Sequence, residues 1–200
     1  MRYRRRKQTN GKMEEAPHTN EEETCLVSIE LEDQERFPEP VKVELFPKRA
    51  PITVGKFLQN VETGLYRGAA FYRTVRLDNQ PQNEEGAAIQ VVQGGVAVTK
   101  EVEDQIPIML ESTKETGLTH KVGTISMARS TPNSATSEFF ISLADQPNLD
   151  HGGKRAPDGL GFAAFGRVVS GMEVLRRIHS SPAEEQMLFP VILIKDIVKS

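Results

Sequence analysis

The 200-residue sequence is 38% hydrophobic and 26% charged and carries a net charge of −3, which is ordinary for a globular protein. This acidic balance argues against a general nucleic-acid-binding surface. The single cysteine, Cys25, excludes an internal disulfide framework and a cysteine-based zinc site. No apolar run approaches the roughly 20 residues that a membrane-spanning helix needs.

Residues 1–22 are predicted to be a disordered, charged tail, basic between positions 2 and 7 and acidic from Glu21. The basic run resembles the start of a signal peptide, but no apolar segment follows it. A solvated tail is favoured over an anionic-surface tether or a remnant of an export signal. We therefore expect a cytoplasmic protein as the sequence stands, and a periplasmic or secreted one if the given start omits a signal peptide.

Residues 23–200 are predicted to form one domain of short strands. Alternating or apolar runs indicate strands at 25–31, 41–46, 71–75, 89–93, 124–128, 139–143, 161–168 and 191–197. Pro51 favours the first turn of a helix that ends near Gly64, and residues 171–178 form a second helix candidate. Many short strands with two short helices predict a mainly β, closed architecture, and the pattern alone leaves barrel and sandwich open.

The segment 127–143 combines a turn-rich polar run with two adjacent aromatic residues, Phe139 and Phe140. Side chains alternate along a strand, so the two rings are expected to face opposite sides of the sheet. One ring can fill a core while the other lines an outer groove. A polar loop beside an outward aromatic ring suits the binding of an extended peptide.

Six short motifs extend through the chain in a fixed order. They are Phe71-Tyr72-Arg73, Gln93-Gly94-Gly95, the segment 123–128, the segment 137–141, Asn148-Leu149-Asp150 and the segment 162–168. In this order they resemble the cyclophilins, the peptidyl-prolyl cis-trans isomerases, and in particular their bacterial branch. The resemblance covers nearly all of the chain after residue 24. It implies a closed eight-stranded antiparallel β-barrel capped by two α-helices.

The resemblance implies that Arg73 and Gln93 are the catalytic residues. Rotation about an X–Pro bond meets a barrier of about 18–20 kcal/mol, because the nitrogen lone pair is delocalised into the carbonyl group. A donor aimed at that nitrogen is worth more in the twisted transition state, where the lone pair is localised. A guanidinium stays ionised and has several donors, so no cofactor or metal is expected. The scattered residues His18, His120, His151 and His179 lack metal-ligand spacing.

Further positions match the substrate-binding residues of the family. Phe140 matches the base of the proline pocket, while Val91, Leu149 and Phe162 match its walls. Phe162, in place of a histidine, follows the bacterial pattern. Ala128 and Arg129 match the segment that binds the substrate backbone.

Four positions depart from the family pattern. Gln90 stands where a groove-lining Phe is usual, and Val91 replaces a larger Met. Glu138 replaces a common Gln and would place a carboxylate near Arg73. Asn148 replaces an aromatic residue, which argues against cyclosporin binding. Arg73 and Gln93 are 20 positions apart, a longer spacing than is usual in the family. The extra residues fall in the loop 76–88. We interpret this loop as a surface insertion in preference to a substrate-contacting flap.

The sequence thus predicts a monomeric peptidyl-prolyl cis-trans isomerase that acts on proline-containing polypeptides and assists their folding. The departures at Gln90, Val91 and Asn148 leave a second hypothesis, a non-catalytic proline-peptide-binding or chaperone module on the same fold. A purely structural barrel without a ligand is a third.

Overall fold

A computed structural model describes residues 24–80, 87–101 and 105–200. The tail predicted at 1–22 and part of the loop predicted at 76–88 lie outside these described residues. Over the described residues the strands are β1 (Cys25–Leu31), β2 (Val41–Leu45), β3 (Ala69–Val75), β4 (Val91–Gly95), β5 (Thr124–Met127), β6 (Phe139–Ser142), β7 (Ala163–Ser170), β8 (Ala183–Glu184) and β9 (Met187–Lys199). The α-helices are α1 (Pro51–Glu62), α2 (Thr113–Thr116) and α3 (Met172–His179).

Eight of the strands close into an antiparallel barrel. Their order is β1-β2-β7-β5-β6-β4-β3-β9, and β9 pairs back with β1 to complete the ring. The short β8 pairs with the start of β9 and forms a hairpin at the margin of the barrel. The predicted mainly β fold and eight-stranded antiparallel barrel are confirmed, and the sandwich that the pattern also allowed is excluded.

Aromatic residues fill the barrel interior. The ring of Phe139 is fully buried and makes edge contacts with Phe57, Tyr66 and Phe71, at centroid distances of 5.8, 5.7 and 5.9 Å. The Tyr66 hydroxyl donates to the main-chain oxygen of Ser137 at 2.9 Å, so its polar atom is satisfied inside the core. Since the interior is packed, a substrate groove has to lie on the outer face.

The helices agree with the prediction at α1 and α3 and differ at α2. Helix α1 begins at Pro51, and α3 buries Val174, Leu175 and Ile178 on its inner face. The four-residue α2 was not predicted, because a single turn is too short to show a hydrophobic period. Among the described residues, no helix has the length and apolar character to cross a membrane.

Candidate active site

A β-bulge in β3 brings Arg73 to the outer face of the barrel. Phe71 pairs with Gly94 and Arg73 pairs with Gln93, so Tyr72 is the extra residue between two consecutive partners on β4. In a regular strand, residues 71 and 73 would face the same side. The bulge instead leaves Phe71 fully buried in the core while Arg73 lines an outer groove.

Arg73, Gln93 and Phe140 lie in one row across three neighbouring strands. Arg73 on β3 pairs with Gln93 on β4, and Gln93 pairs with Phe140 on β6. Paired strands are about 4.7–4.9 Å apart, so side chains that share a face in such a row are within contact distance. The barrel therefore brings together three predicted site residues that are separated by up to 67 positions in the sequence.

The guanidinium of Arg73 is held on two sides. Its Nη1 donates to Oε1 of Gln93 at 2.9 Å, and its Nε and Nη2 donate to Oε1 of Gln186 at 2.9 and 2.5 Å. An arginine has five N–H donors, so two remain without a partner among the described residues. Burial, and then the nearby charge of Arg155, lower the pKa of Arg73. A guanidinium still stays protonated at neutral pH, so the groove contains a fixed cation with free donors.

The amide of Gln93 is oriented by a second hydrogen bond. Its Nε2 donates to the Tyr72 hydroxyl at 2.7 Å, and that hydroxyl donates to Oε2 of Glu138 at 2.7 Å. Burial and the neighbouring Glu138 carboxylate raise the pKa of Tyr72, which keeps the phenol protonated. This chain of bonds leaves Oε1 of Gln93 as the atom that faces Arg73.

Glu138 lines the groove together with Arg73, as the sequence predicted, but its carboxylate bonds to other groups. Its Oε1 accepts main-chain hydrogen bonds from Val96 at 2.8 Å and Ala97 at 3.1 Å. The carboxylate lies against Gly95, where a Cβ atom would be 2.3 Å from Oε2. Only glycine at this position leaves room for the carboxylate. Glu138 thus reaches Arg73 indirectly, through Tyr72 and Gln93.

An apolar pocket forms the other side of the groove. Phe140 contacts the edge of Phe162 at a centroid distance of 5.5 Å, and Val91 and Leu149 pack beside it. The ring of His120 stacks behind Phe140 at 5.8 Å. The groove has a volume of about 470 Å³, within the usual range of ligand pockets.

Gln90 does not line this groove, so its predicted role in substrate binding is not supported by the structure. Side chains alternate along the segment, and Ile89 and Val91 face the pocket instead. The main-chain oxygen of Gln90 accepts a hydrogen bond from Leu143 at 2.9 Å. The pocket is therefore apolar on the side where the sequence predicted a polar residue.

Ala128 and Arg129 line the groove, but the Arg129 side chain is already engaged. Its guanidinium forms two hydrogen bonds with Asp158, at 2.7 and 2.8 Å, and Nε donates to Gly161 at 2.9 Å. The hydrogen bonds from Arg129 are the main reason that the pKa of Asp158 falls to about 2. The guanidinium lies 5.2 Å from the ring centre of Phe162, so it supports the pocket wall from behind.

Several described residues of the site were not predicted from the sequence, among them the groove-lining Ser130, Ser134 and Thr136. Ile89 and Arg155 line the groove, while Tyr72 and Gln186 hold Gln93 and Arg73. Tyr72 lies inside a recognised motif, and its position beside Arg73 was a usable signal. Gln186 and Arg155 lie in segments without a motif, so nothing local pointed to them.

No group of three or more His, Cys, Asp or Glu residues that could bind a metal ion occurs within 24–80, 87–101 and 105–200. Asn148, which stands in place of the expected aromatic residue, is not among the described residues that line the groove. The site thus consists of a fixed guanidinium beside an apolar pocket.

The comparisons with known proteins agree with this geometry. A family model described as cyclophilin type peptidyl-prolyl cis-trans isomerase/CLD matches residues 26–198. Peptidyl-prolyl cis-trans isomerase A of Dickeya dadantii is 36% identical over 72% of this chain and 68% of its own. A peptidyl-prolyl cis-trans isomerase of Acinetobacter baylyi is 33% identical over 71% of this chain and 68% of its own.

Solved structures show the same fold. A cyclophilin-type peptidyl-prolyl cis-trans isomerase of Cryptosporidium parvum has a TM-score of 0.67 at 23% identity, covering 89% of this chain and 98% of its own. A second structure of that protein, in the presence of the dipeptide Ala-Pro, has a TM-score of 0.66 at 23% identity, covering 88% and 98%. The predicted function as a peptidyl-prolyl cis-trans isomerase is confirmed by the family model and the relatives, and this chain belongs to the cyclophilin-type peptidyl-prolyl cis-trans isomerase family.

Proposed function

We propose that the groove binds an extended X–Pro segment, with the proline ring in the apolar pocket and the prolyl nitrogen facing Arg73. The observation that carries this proposal is the cross-strand row in which Arg73 and Gln93 adjoin Phe140. Two N–H donors of Arg73 have no partner among the described residues, so they are available to a peptide in the groove. A related structure in the presence of Ala-Pro supports a proline-containing peptide as the occupant.

Arg73 acts by stabilising the twisted peptide bond. As the X–Pro bond rotates, resonance is lost and the lone pair becomes localised on the prolyl nitrogen. A hydrogen bond from Arg73 to that nitrogen is stronger at this point than in the planar ground state, which is the requirement for catalysis. The guanidinium is already oriented by Gln93 and Gln186, so little reorganisation accompanies the reaction.

Gln93 is a positioning residue for Arg73 and a contact for the peptide. Its Oε1 accepts from Arg73 while one hydrogen of Nε2 is given to Tyr72, which leaves the second Nε2 hydrogen for a substrate carbonyl. The N–H of Ala128 donates to the Glu138 main-chain oxygen at 2.8 Å. The carbonyl of Ala128 is therefore the main-chain group offered to the peptide.

The substrates we propose are proline-containing polypeptides whose folding the enzyme assists. A monomer suffices, because every residue assigned to the groove comes from one chain. Asn148 offers no aromatic donor, so we propose weak or absent cyclosporin binding. The net charge of −3 disfavours nucleic acid as a partner. A cytoplasmic location, or an exported one if a signal peptide precedes this sequence, stays a prediction.

An isomerisation assay on a proline peptide tests the role of Arg73. We expect Arg73→Ala to lower kcat/KM by about 100- to 1000-fold, the typical effect of removing one preorganised donor. Arg67→Ala is the matched control. Arg67 lies just before β3, is mostly exposed, forms an ion pair with Asp196 and does not line the groove. Its activity should equal that of the wild type.

Two results would contradict the proposal in different ways. A wild-type protein that leaves the isomerisation rate at its uncatalysed value, yet shows chemical-shift changes with a proline peptide, would be a non-catalytic binding module. An active wild type with a fully active Arg73→Ala variant would remove Arg73 from the mechanism and leave the enzyme class intact.

A further inference from the structure

Besides Arg73 and Arg129, a third arginine lines the groove, and the mechanism does not use it. Arg155 lies in the segment between Leu149 and Phe162 and lines the groove beside the proline pocket. Within the part of the chain that the structure describes, its side chain makes one weak hydrogen bond, from Nη1 to the main-chain oxygen of Ala87 at 3.5 Å. It forms no ion pair with any residue of 24–80, 87–101 and 105–200. Arg129, by contrast, is neutralised by two hydrogen bonds to Asp158.

The charges around Arg155 do not balance within the described groove. Arg73 is held by the amide oxygens of Gln93 and Gln186, which carry no charge. Glu138 is the carboxylate among the described lining residues, and its oxygens are taken by Tyr72 and by main-chain N–H groups. Arg155 and Arg73 are close enough that the charge of Arg155 lowers the pKa of Arg73. Arg73 and Arg155 thus share the groove without an anionic partner among its described residues.

A bound carboxylate would relieve this imbalance. Burial lowers the pKa of Arg155, since its charge is partly removed from water. A carboxylate on the substrate would restore the lost solvation and can accept two parallel hydrogen bonds from one guanidinium. Arg73 faces the prolyl nitrogen in the proposed function, so Arg155 is the cation that remains for a neighbouring side chain.

We propose that Arg155 makes this enzyme selective for prolines that are next to an Asp or Glu residue in the substrate. The proposal rests on the proposed function, because it needs an X–Pro segment in the groove. The selectivity would arise from segment 150–161, which carries Arg155 and contacts Ala87. The preferred substrates are then proline-containing segments with an acidic residue beside the proline.

The first experiment compares peptides that differ at one residue next to proline. Three peptides with both ends blocked carry Ala on both sides, Glu before proline, or Glu after proline, so a side-chain carboxylate is the only anion. Two-dimensional exchange NMR measures catalysed isomerisation of each at about 0.02 M and about 0.5 M ionic strength. We expect kcat/KM for one Glu peptide to exceed that of the Ala peptide by about three- to fivefold at low salt, the range of a partly exposed ion pair.

The second experiment assigns the preference to Arg155. In Arg155→Gln the Glu-to-Ala ratio of kcat/KM should fall to about 1, while Arg155→Lys should keep part of it. Lys154→Gln is the matched control, since Lys154 is the exposed neighbour that does not line the groove, and its ratio should equal that of the wild type. The readout is a ratio within one variant, so a change in overall rate does not affect it.

The outcomes separate this inference from the proposed function. A wild-type enzyme that isomerises the Ala peptide but shows the same kcat/KM for the Glu peptides overturns the inference alone. The same holds if Arg155→Gln keeps the wild-type ratio. An enzyme that does not accelerate the Ala peptide at all overturns the proposed function first.

Discussion

The two walls of the groove are built by different forces. The apolar wall is held by packing and consists of Ile89, Val91, Phe140, Leu149 and Phe162. The polar wall is held by hydrogen bonds of 2.5–2.9 Å and consists of Tyr72, Arg73, Gln93, Glu138 and Gln186. Packing is non-directional and changes gradually with shape, whereas a hydrogen bond weakens steeply with angle and distance.

The departures from the family pattern fall in both walls, at Val91 in the apolar wall and at Glu138 in the polar wall. Val91 replaces a larger residue in the apolar wall, and Ile89 fills the neighbouring position, so the pocket stays apolar. The polar wall keeps Arg73 and Gln93 unchanged. We expect changes in the apolar wall to alter affinity and stability, and changes in the polar wall to alter the rate of the chemical step.

The adjacent residues Phe139 and Phe140 give the largest expected contrast. Phe139→Ala should cost about 3–5 kcal/mol of unfolding free energy, because it leaves a closed cavity among buried rings. Phe140→Ala should cost less, because water or substrate can enter the space that it leaves at the groove. It should instead raise KM for a proline peptide by about tenfold, the loss of part of a buried aromatic contact.

Urea unfolding and isomerisation kinetics on both variants measure this contrast. The wild-type protein is the reference for each. Equal losses of stability in the two variants, with equal changes in KM, would show that the inner and outer faces of β6 are not energetically distinct.

Gln186 tests the polar wall. Gln186→Ala removes the acceptor for Nε and Nη2 of Arg73, so the guanidinium gains freedom to turn. We expect kcat to fall about five- to tenfold with little change in KM, the range of one or two net hydrogen bonds. The Nε–H signal of Arg73 should also exchange faster with water, a change that a general loss of stability would not confine to this group.

Gln59→Ala on the exposed face of α1 is the matched control for Gln186, and its kinetics should equal those of the wild type. If Gln186→Ala keeps the wild-type kcat, then Gln93 alone positions Arg73. In that case the hairpin of β8 and β9 has no part in the reaction.

Gln186 also shows why part of the site could not be predicted. It lies 113 positions from Arg73, at the tip of a hairpin whose first strand has two residues. The contact exists only because β9 pairs with β3, and a single sequence does not contain that pairing. Arg73 and Gln93, in contrast, lie in short motifs with a recognisable order.

Predictions of which way a side chain faces were correct where alternation along one strand decides it, and incomplete where the pairing with a neighbouring strand decides it. Alternation correctly predicted that Phe139 and Phe140 face opposite sides. It could not predict the bulge at Tyr72, which depends on the partner strand. Gln90 was assigned to the groove because it stands where the family usually has a groove-lining Phe, yet the side chains that face the pocket are those of Ile89 and Val91.

Tyr72 is expected to have a smaller effect than Gln186, because it acts on Arg73 through Gln93. Tyr72→Phe removes the hydroxyl that joins Gln93 to Glu138, and the Gln93 amide can then turn over. We expect kcat to fall about two- to fivefold. Since the raised pKa keeps the phenol protonated, the rate should not change between about pH 6 and 9 as a result of Tyr72.

Tyr66→Phe is the matched control for Tyr72, because it deletes the same atom from a tyrosine that donates to Ser137 inside the core. It should lower stability and leave kcat unchanged. A loss of kcat in both variants would indicate a general loosening of the barrel instead of a specific effect on Gln93.

The smallest expected effect concerns Asp158. A variant of this residue tests whether its hydrogen bonds with Arg129 also stabilise the apolar wall. The hydrogen bonds from Arg129 hold the pKa of Asp158 at about 2, below its ordinary 3.8. A depressed pKa means that the carboxylate stabilises the fold above about pH 4 and loses this contribution as the pH falls towards 2. The melting temperature of Asp158→Asn should therefore lie below that of the wild type at pH 6, and the difference should shrink between pH 4 and 2.

Acidic groups such as Glu115 and Asp145, whose pKa values are also lowered, are present in both proteins, so their titration cancels in this difference. A difference in melting temperature that does not vary with pH would mean that the charge of Asp158 is not what matters. Packing alone would then hold Phe162 against Arg129. A difference in melting temperature that varies with pH would show that hydrogen bonds also stabilise the apolar wall. The reason is that Asp158 holds the Arg129 guanidinium, which lies 5.2 Å from the centre of the Phe162 ring.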